Sequence, residues 1–237
     1  MSIELKAFDF IEDVENSIDE ESLAKTIQMG FEEFGFESVV ALKLPGPNET
    51  MEDNMYINSR NSEFATVYFE QDMTGFDPVV EQCANSFSAF TWSSAYNVSD
   101  IKGAEKVHSL AQDYKMKDGI AIPVPVLGSF GVLSASTTQS DILPTQFHAA
   151  SLLGMAGMTK LLTFERQKKQ RSVKLSPREK EILQWVAVGK TDREIAEIMS
   201  LSPNTIRNHV ENIKVRINAP NRTAAAVKAL VDGLIHL

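Results

Sequence analysis

In the last quarter of the chain, apolar residues recur at three- and four-residue intervals in separate short registers, each preceded by a helix-start signal. Ser176 can cap a helix whose first residue is Pro177, where a missing N–H costs nothing, and Glu179 can close a capping box. Ile182, Leu183, Val186 and Ala187 draw an apolar stripe that Gly189 ends. Thr191 with Glu194 repeats the box for a shorter helix carrying Ile195, Ala196, Ile198 and Met199. Ser202 and Pro203 open a third helix, in which Ile206, Val210, Ile213 and Ile217 share one face. Its opposite face holds Arg207, Asn208, Glu211, Lys214 and Arg216. Asn221 caps a fourth, Arg222 to Asp232, stopped by Gly233. Two short helices joined by a tight turn, the second apolar on one side and polar on the other, predict a helix-turn-helix whose second helix can enter a major groove.

Upstream the period changes. Leu23, Ile27, Phe31 and Phe34 mark an amphipathic helix ending at Gly35, and Ser38 to Leu44 reads as a strand before a turn at Pro45 to Asn48. A strand at Met55 to Asn58 follows, then helices at Ser62 to Gln71 and Pro78 to Ala84, and a strand edge at Phe90 to Trp92. Ile120 to Val126 and Phe130 to Thr137 read as a hairpin around Gly128 and Ser129, and Pro144 opens a long final helix. The pattern predicts an α+β protein: an N-terminal α/β/α sandwich with an antiparallel sheet, then an all-α four-helix domain containing the helix-turn-helix. The expected domains are residues 1–165 and 175–237, with a basic linker at 166–174 whose first residues can extend a helix. The apolar surplus of the long helix, from Leu152, Leu153 and Met155 to Leu161 and Leu162, makes it a candidate homodimer element.

Charge divides the chain the same way. From Arg171 onward 11 Lys and Arg stand against 7 Asp and Glu, whereas the first 170 residues hold 12 against 25, which recovers the net −9. An acidic domain is repelled by phosphate, so DNA contact falls to the basic one. The single Cys83 can form no internal disulfide, and no apolar run spans a bilayer, so a cytoplasmic protein without a membrane partner is expected. His108, His148, His209 and His236 lack metal-ligand spacing and no G-x-S-x-G element is present, which argues against an enzyme, a metal or a cofactor. A phosphorylated receiver domain is disfavoured, because the acidic N-terminal run lies in helical sequence and the late apolar hairpin lacks a lysine.

The run L-S-x-R-E-x-E-I-L-x-W-x-A-x-G-K-T, then E-I-A, then S-x-N-T-I-R-N-H-V-x-N-I, then N-R-T-A-A resembles the LuxR-type DNA-binding domain shared with NarL-like response regulators. That resemblance implies a double-stranded DNA operator, with Arg207, Asn208 and Glu211 toward base edges and Lys190, Thr191, Lys214 and Arg216 nearer phosphates. Asn204 and Thr205 at the head of the same helix join the set. Arg suits guanine, Asn suits adenine, and an acidic side chain can accept from cytosine.

Phe64, Tyr68, Asp77, Pro78, Trp92 and Gly119 stand at spacings that resemble the autoinducer-binding domain of LuxR-type quorum-sensing regulators, where W-x-x-x-Y precedes D-P, W and G. The implied ligand is a small amphipathic signal, an acyl-homoserine lactone. Asp77 would accept its amide N–H, Tyr68 would donate to its acyl carbonyl, Trp92 would pack on its ring, and Ser134 would add a donor. Leu42, Leu44, Val80 and Val107 are candidates for the tail's path. Taken singly, Asp77 and Pro78 also read as the N-cap and first residue of a helix, and Tyr68 and Trp92 as core aromatics. The chain departs from the family at Phe64, where a tryptophan indole N–H would donate to the lactone carbonyl. The alternative is an orphan regulator of the same family that senses a non-lactone signal or acts without ligand.

Overall fold

The computed structural model describes residues 2–45, 50–126 and 129–237 and divides into two compact units, Met1–Leu162 and Thr163–Leu237. Residues 46–48 of the turn expected after the first strand, and Gly128 of the hairpin turn, lie outside the described residues.

In the first unit, helices α1 (Ile3–Asn16) and α2 (Glu20–Glu33) lead into strand β1 (Ser38–Lys43) and then β2 (Met55–Asn58). Helices α3 (Ser62–Glu70) and α4 (Pro78–Asn85), the short β3 (Phe90–Thr91), and helices α5 (Trp92–Val98) and α6 (Ala104–Asp113) follow. The unit ends with β4 (Asp118–Val126), β5 (Ser129–Thr137) and the start of α7 (Pro144–Ser172). The strands form one antiparallel sheet in the order β2-β1-β5-β4-β3. Register places Val40 of β1 and Ala121 of β4 on either side of Ser134, and Ala41 and Ile122 on either side of Leu133. Because strand side chains alternate, each of these rows belongs to one face.

The Leu133 row faces α2 and α7, whose Leu23, Ile27, Phe31, Leu153, Met158 and Leu161 are fully buried with Ile120, Ile122 and Leu133. Close approach of the two helices depends on Gly157, where a Cβ would lie 2.6 Å from Ile27 Cδ1. On the other face α3, α4, α5 and α6 pack Phe64, Val79, Cys83, Trp92, Ala95 and Ala111 against Ala121. Helices on both faces of an antiparallel sheet make the expected α/β/α sandwich.

Two elements differ from the sequence reading. Trp92 is the first residue of α5 and not part of a strand edge: Thr91 caps the helix by accepting the Ser94 N–H at 3.2 Å, and Asp118 accepts the Ser93 N–H at 3.0 Å and its hydroxyl at 2.8 Å. That carboxylate is 25 residues away, beyond any local signal. Helix α6 escaped notice because it buries only Val107 and Ala111, too thin a stripe to register.

Helix α7 runs through the expected linker as far as Ser172, so residues 166–172 are helical. The second unit continues with α8 (Pro177–Ala187), α9 (Asp192–Met199), α10 (Pro203–Arg216) and α11 (Arg222–Val231). Both expected capping boxes form: Ser176 with Glu179, and Thr191 with Glu194. Ser202 accepts the Thr205 N–H at 3.0 Å and Asn221 the Ala224 N–H at 2.8 Å. Ile182, Ile195, Ala196, Met199, Ile206 and Val210 share one buried cluster, whereas Ile198 is left 46 % exposed.

Candidate functional site

The Ser134 row of the sheet opens onto a cavity of about 100 Å³, far above the roughly 10–15 Å³ that one water requires. Val40, Leu42 and Leu44 line it from the β1 side, and Phe130, Val132 and Ser134 from β5. Phe64, Ala65, Tyr68 and Phe69 of α3 and Val79, Val80 and Cys83 of α4 form the opposite wall, with Met51 and Met55 beside them. Six polar or charged residues, Asn58, Arg60, Tyr68, Thr74, Asp77 and Ser134, line this largely apolar surface. A mostly apolar concavity with a few converging polar groups suits a small amphipathic molecule.

Asp77 serves two structures at once. Its Oδ1 accepts the Val79 N–H at 2.8 Å and caps α4, while its Oδ2 accepts the Tyr68 hydroxyl at 2.8 Å. The capping reading and the binding reading of this residue are therefore compatible, one oxygen for each. Burial raises the Asp77 carboxyl above its ordinary range despite the hydrogen bonds from Tyr68 and Val79 and the nearby Arg60. Burial also pushes the Tyr68 hydroxyl far up, so it remains a donor. Cys83, on the same wall, is pushed up by burial to about 12, which leaves it a packing thiol and not a nucleophile.

The other expected residues divide into walls and supports. Phe64, Tyr68, Asp77 and Ser134 line the cavity, as do Leu42, Leu44 and Val80. Trp92 and Val107 are buried but are not among its lining. Arg60, which lines the cavity, has its guanidinium carbon 5.1 Å from the Trp92 ring centroid and 5.9 Å from that of Phe64. Trp92 thus stacks on a cation, and its Nε1–H donates to Ser134 Oγ at 3.2 Å. Pro78 is the buried first residue of α4. Gly119 makes room for the indole: a Cβ there would sit 2.5 Å from Trp92 Cε2 and collide with the Ala135 carbonyl.

Arg60 belongs to none of the sequence motifs. It is the sole arginine in residues 1–165, a signal that composition contained and periodicity could not use. It follows β2, where its backbone N–H donates to Asn58 Oδ1 at 3.1 Å, and Asn61 beside it caps α3.

In the second unit, Asn204, Arg207, Asn208 and Glu211 form an exposed row at helical spacing on α10, opposite buried Ile206, Val210 and Ile213. Thr205 is half-buried, its N–H held by the cap. Arg207 is loosely anchored, with Nε 3.7 Å from Asp192 Oδ2 and its side chain 67 % exposed. Asp192 is itself fixed by Arg222, whose Nη1 donates to it at 2.8 Å while Nη2 donates to the Lys190 carbonyl at 2.9 Å. Thr191 is the exposed cap of α9, and Lys190 pairs with Glu194 at 3.1 Å. Lys214 pairs with Glu211 at 2.7 Å, so Glu211 is partly neutralised by a neighbour on its own helix.

Arg216 has a different setting from the other cations. Its Nη1 donates to Glu179 Oε2 at 2.8 Å and to the Lys174 carbonyl at 3.1 Å, clamping the end of α10 to the start of α8. Burial alone would raise the Glu179 carboxyl, but hydrogen bonds from Ser176 and Arg216 outweigh it and hold the group below its ordinary value.

A pocketed α+β unit followed by a capped helix-turn-helix unit defines a DNA-binding regulator controlled by a small molecule. Residues 19–162 match the family model of the autoinducer binding domain, and residues 173–229 that of bacterial regulatory proteins of the luxR family. The chain belongs to the LuxR-type quorum-sensing transcriptional regulators, a family of regulators and not of enzymes. It is 29 % identical to the quorum sensing-dependent transcriptional regulator RpaR of Rhodopseudomonas palustris over 98 % of this chain and 96 % of the relative. It is 33 % identical to the quorum-sensing regulator RhlR of Pseudomonas aeruginosa over 71 % of this chain and 70 % of RhlR. The crystal structure of Escherichia coli SdiA has the same fold, with a TM-score of 0.77 at 23 % identity over 98 % of both chains. Among the described residues, no helix is long and apolar enough to cross a membrane.

Proposed function

We propose that the signal is an acyl-homoserine lactone and that it controls binding of a homodimer to a roughly palindromic operator. The observation that carries this reading is the split carboxylate of Asp77, a residue that lines the mostly apolar cavity: one oxygen is committed to the α4 cap, and the other, which holds the Tyr68 hydroxyl, can accept an amide N–H. When that N–H arrives, the Tyr68 hydroxyl is released to donate to the acyl carbonyl. Ser134, whose oxygen already accepts from Arg60 and Trp92, keeps its own hydrogen for the same carbonyl. The acyl tail lies along Leu42, Leu44, Val80 and Phe130.

On DNA, the exposed row Asn204, Arg207, Asn208 and Glu211 reads base edges, with Lys190, Thr191 and Lys214 toward phosphates. Val215, 82 % exposed on the same helix, adds an apolar group suited to a thymine methyl. The homodimer reading draws on α7, whose Leu152 and Met155 are 50 % and 47 % exposed while Leu153 and Met158 are buried. A protein of this kind works beside the chromosome, in the cytoplasm.

The test is thermal unfolding of the full-length protein against acyl-homoserine lactones of varied chain length, together with light scattering and operator binding. At a hundred times its dissociation constant a ligand adds about 2.7 kcal/mol, raising the midpoint by roughly 5–10 °C for a chain of this size. No shift from any lactone, in protein that is folded and binds DNA, would leave the orphan reading. A monomer with and without ligand would refute the dimer.

A further inference from the structure

One residue lining the cavity carries a buried donor with nothing to bond. Arg60 Nε is buried and has no hydrogen-bond partner, although its Nη2 donates to Ser134 Oγ at 3.0 Å. Among the described residues Arg60 makes no ion pair, and its guanidinium is held between aromatic neighbours, 5.1 Å from the Trp92 centroid and 5.9 Å from that of Phe64. A buried unpaired donor of this kind costs free energy, and an oxygen acceptor brought to it recovers that cost. Phe64, beside it, offers no donor at all.

We propose that Arg60 is the head-group donor of this receptor, and that it selects signals presenting a neutral carbonyl oxygen beyond the amide held by Asp77. The inference rests on the cavity being the site of an acyl-amide signal. Charge decides for a neutral acceptor over an anionic one. Arg60 and Asp77 line the same cavity with opposite charges, so a neutral head leaves the site balanced. A carboxylate head would add an uncompensated negative charge to a poorly solvated space that already holds Asp77. The contact with Trp92 and the bond to Ser134 hold the guanidinium in place before the ligand arrives. Such preorganisation favours one head-group geometry over a general attraction for anions.

The experiment measures affinities of three probes with one acyl chain: the homoserine lactone, the cyclopentylamide that lacks the ring carbonyl and ring oxygen, and the ring-opened acyl-homoserine carboxylate. Full-length wild type, Arg60→Met and Arg60→Gln are compared. Wild type is expected to prefer the lactone over the cyclopentylamide by about tenfold to hundredfold, the factor of one satisfied buried acceptor. Arg60→Met lowers the lactone-to-cyclopentylamide ratio toward one, whatever its effect on the cyclopentylamide alone, and retained binding of the cyclopentylamide shows that the pocket is folded. Arg60→Gln, which keeps an N–H, restores part of the preference. An unchanged lactone-to-cyclopentylamide ratio in Arg60→Met overturns the assignment, as does a wild type that does not discriminate between them. Preference of wild type for the ring-opened carboxylate overturns the neutral head. Failure of wild type to bind any of the three refutes the acyl-amide reading itself, an outcome distinct from binding without discrimination.

Discussion

Glu179 joins the first turn of α8 to the last turn of α10, and its removal has a calculable cost. Its Oε2 accepts the Ser176 N–H and an Arg216 Nη1–H, both at 2.8 Å. Glu179→Ala loses the first bond, a net contribution of about 0.5–1.5 kcal/mol. It also loses the ion pair, in which the Glu179 side chain is 9 % exposed but the Arg216 side chain is 42 % exposed. Because the freed guanidinium regains water, that pair is discounted to about 0.2–1 kcal/mol. Together these amount to about 0.7–2.5 kcal/mol. Arg216→Ala, which leaves the capping box in place, should cost less. The chain has two tryptophans, and Trp185 packs against the core of the second unit, so urea unfolding followed by fluorescence in a Trp92→Phe background reads that unit alone. In a double-mutant cycle the coupling should be about 0.2–1 kcal/mol and should shrink in 1 M salt. The pH dependence has a definite sign. The folded carboxyl of Glu179 lies below its unfolded value of 4.5, so its stabilisation is complete above that value and is lost as pH falls through the folded one. Glu179→Ala therefore flattens the acid limb. A loss under about 0.5 kcal/mol, or a cycle without coupling, would refute the clamp and return Arg216 to the set of free phosphate-binding cations.

Arg207→Ala should weaken binding to the cognate operator by about 1–3 kcal/mol and relax preference at one base pair, measured by anisotropy across singly substituted operators. An equal loss on every sequence would make it a phosphate contact. Asp77→Asn keeps an oxygen for the Val79 N–H, so the fold should survive while lactone affinity falls at least about tenfold; undiminished affinity would contradict the amide contact. With the Asp77 carboxylate as the proposed acceptor and burial raising its pKa from 3.8, lactone affinity should be full above the raised value and decline below it, earlier on acidification than for an exposed aspartate. Gly119→Ala drives a methyl into the Ala135 carbonyl and the Trp92 ring, and should lower stability of the first unit by about 1–3 kcal/mol in thermal unfolding. A midpoint within a degree of wild type would show that the indole can move aside.

Much of this architecture was already legible along the chain because the interactions that define it are local. The capping boxes Ser176–Glu179 and Thr191–Glu194 close over three residues, as does the Asn221 cap, so residue type and spacing alone determined where these helices start. Period-two and period-3.6 patterns likewise determined that a sheet is covered by helices and that α10 has one buried and one exposed side. Long-range partners carry no such trace. Arg60 meets Ser134 across 74 residues, Arg216 meets Glu179 across 37, and Ser93 meets Asp118 across 25. Only the tertiary structure decided that Trp92 lies against a guanidinium instead of lining the cavity, that Asp77 gives one oxygen to the α4 cap and one to Tyr68, and that Arg216 clamps two helices. The physical reason is that desolvation and pairing depend on which distant group occupies the neighbouring space. Sequence periodicity specifies which face a side chain takes, and folding supplies the partner across from it.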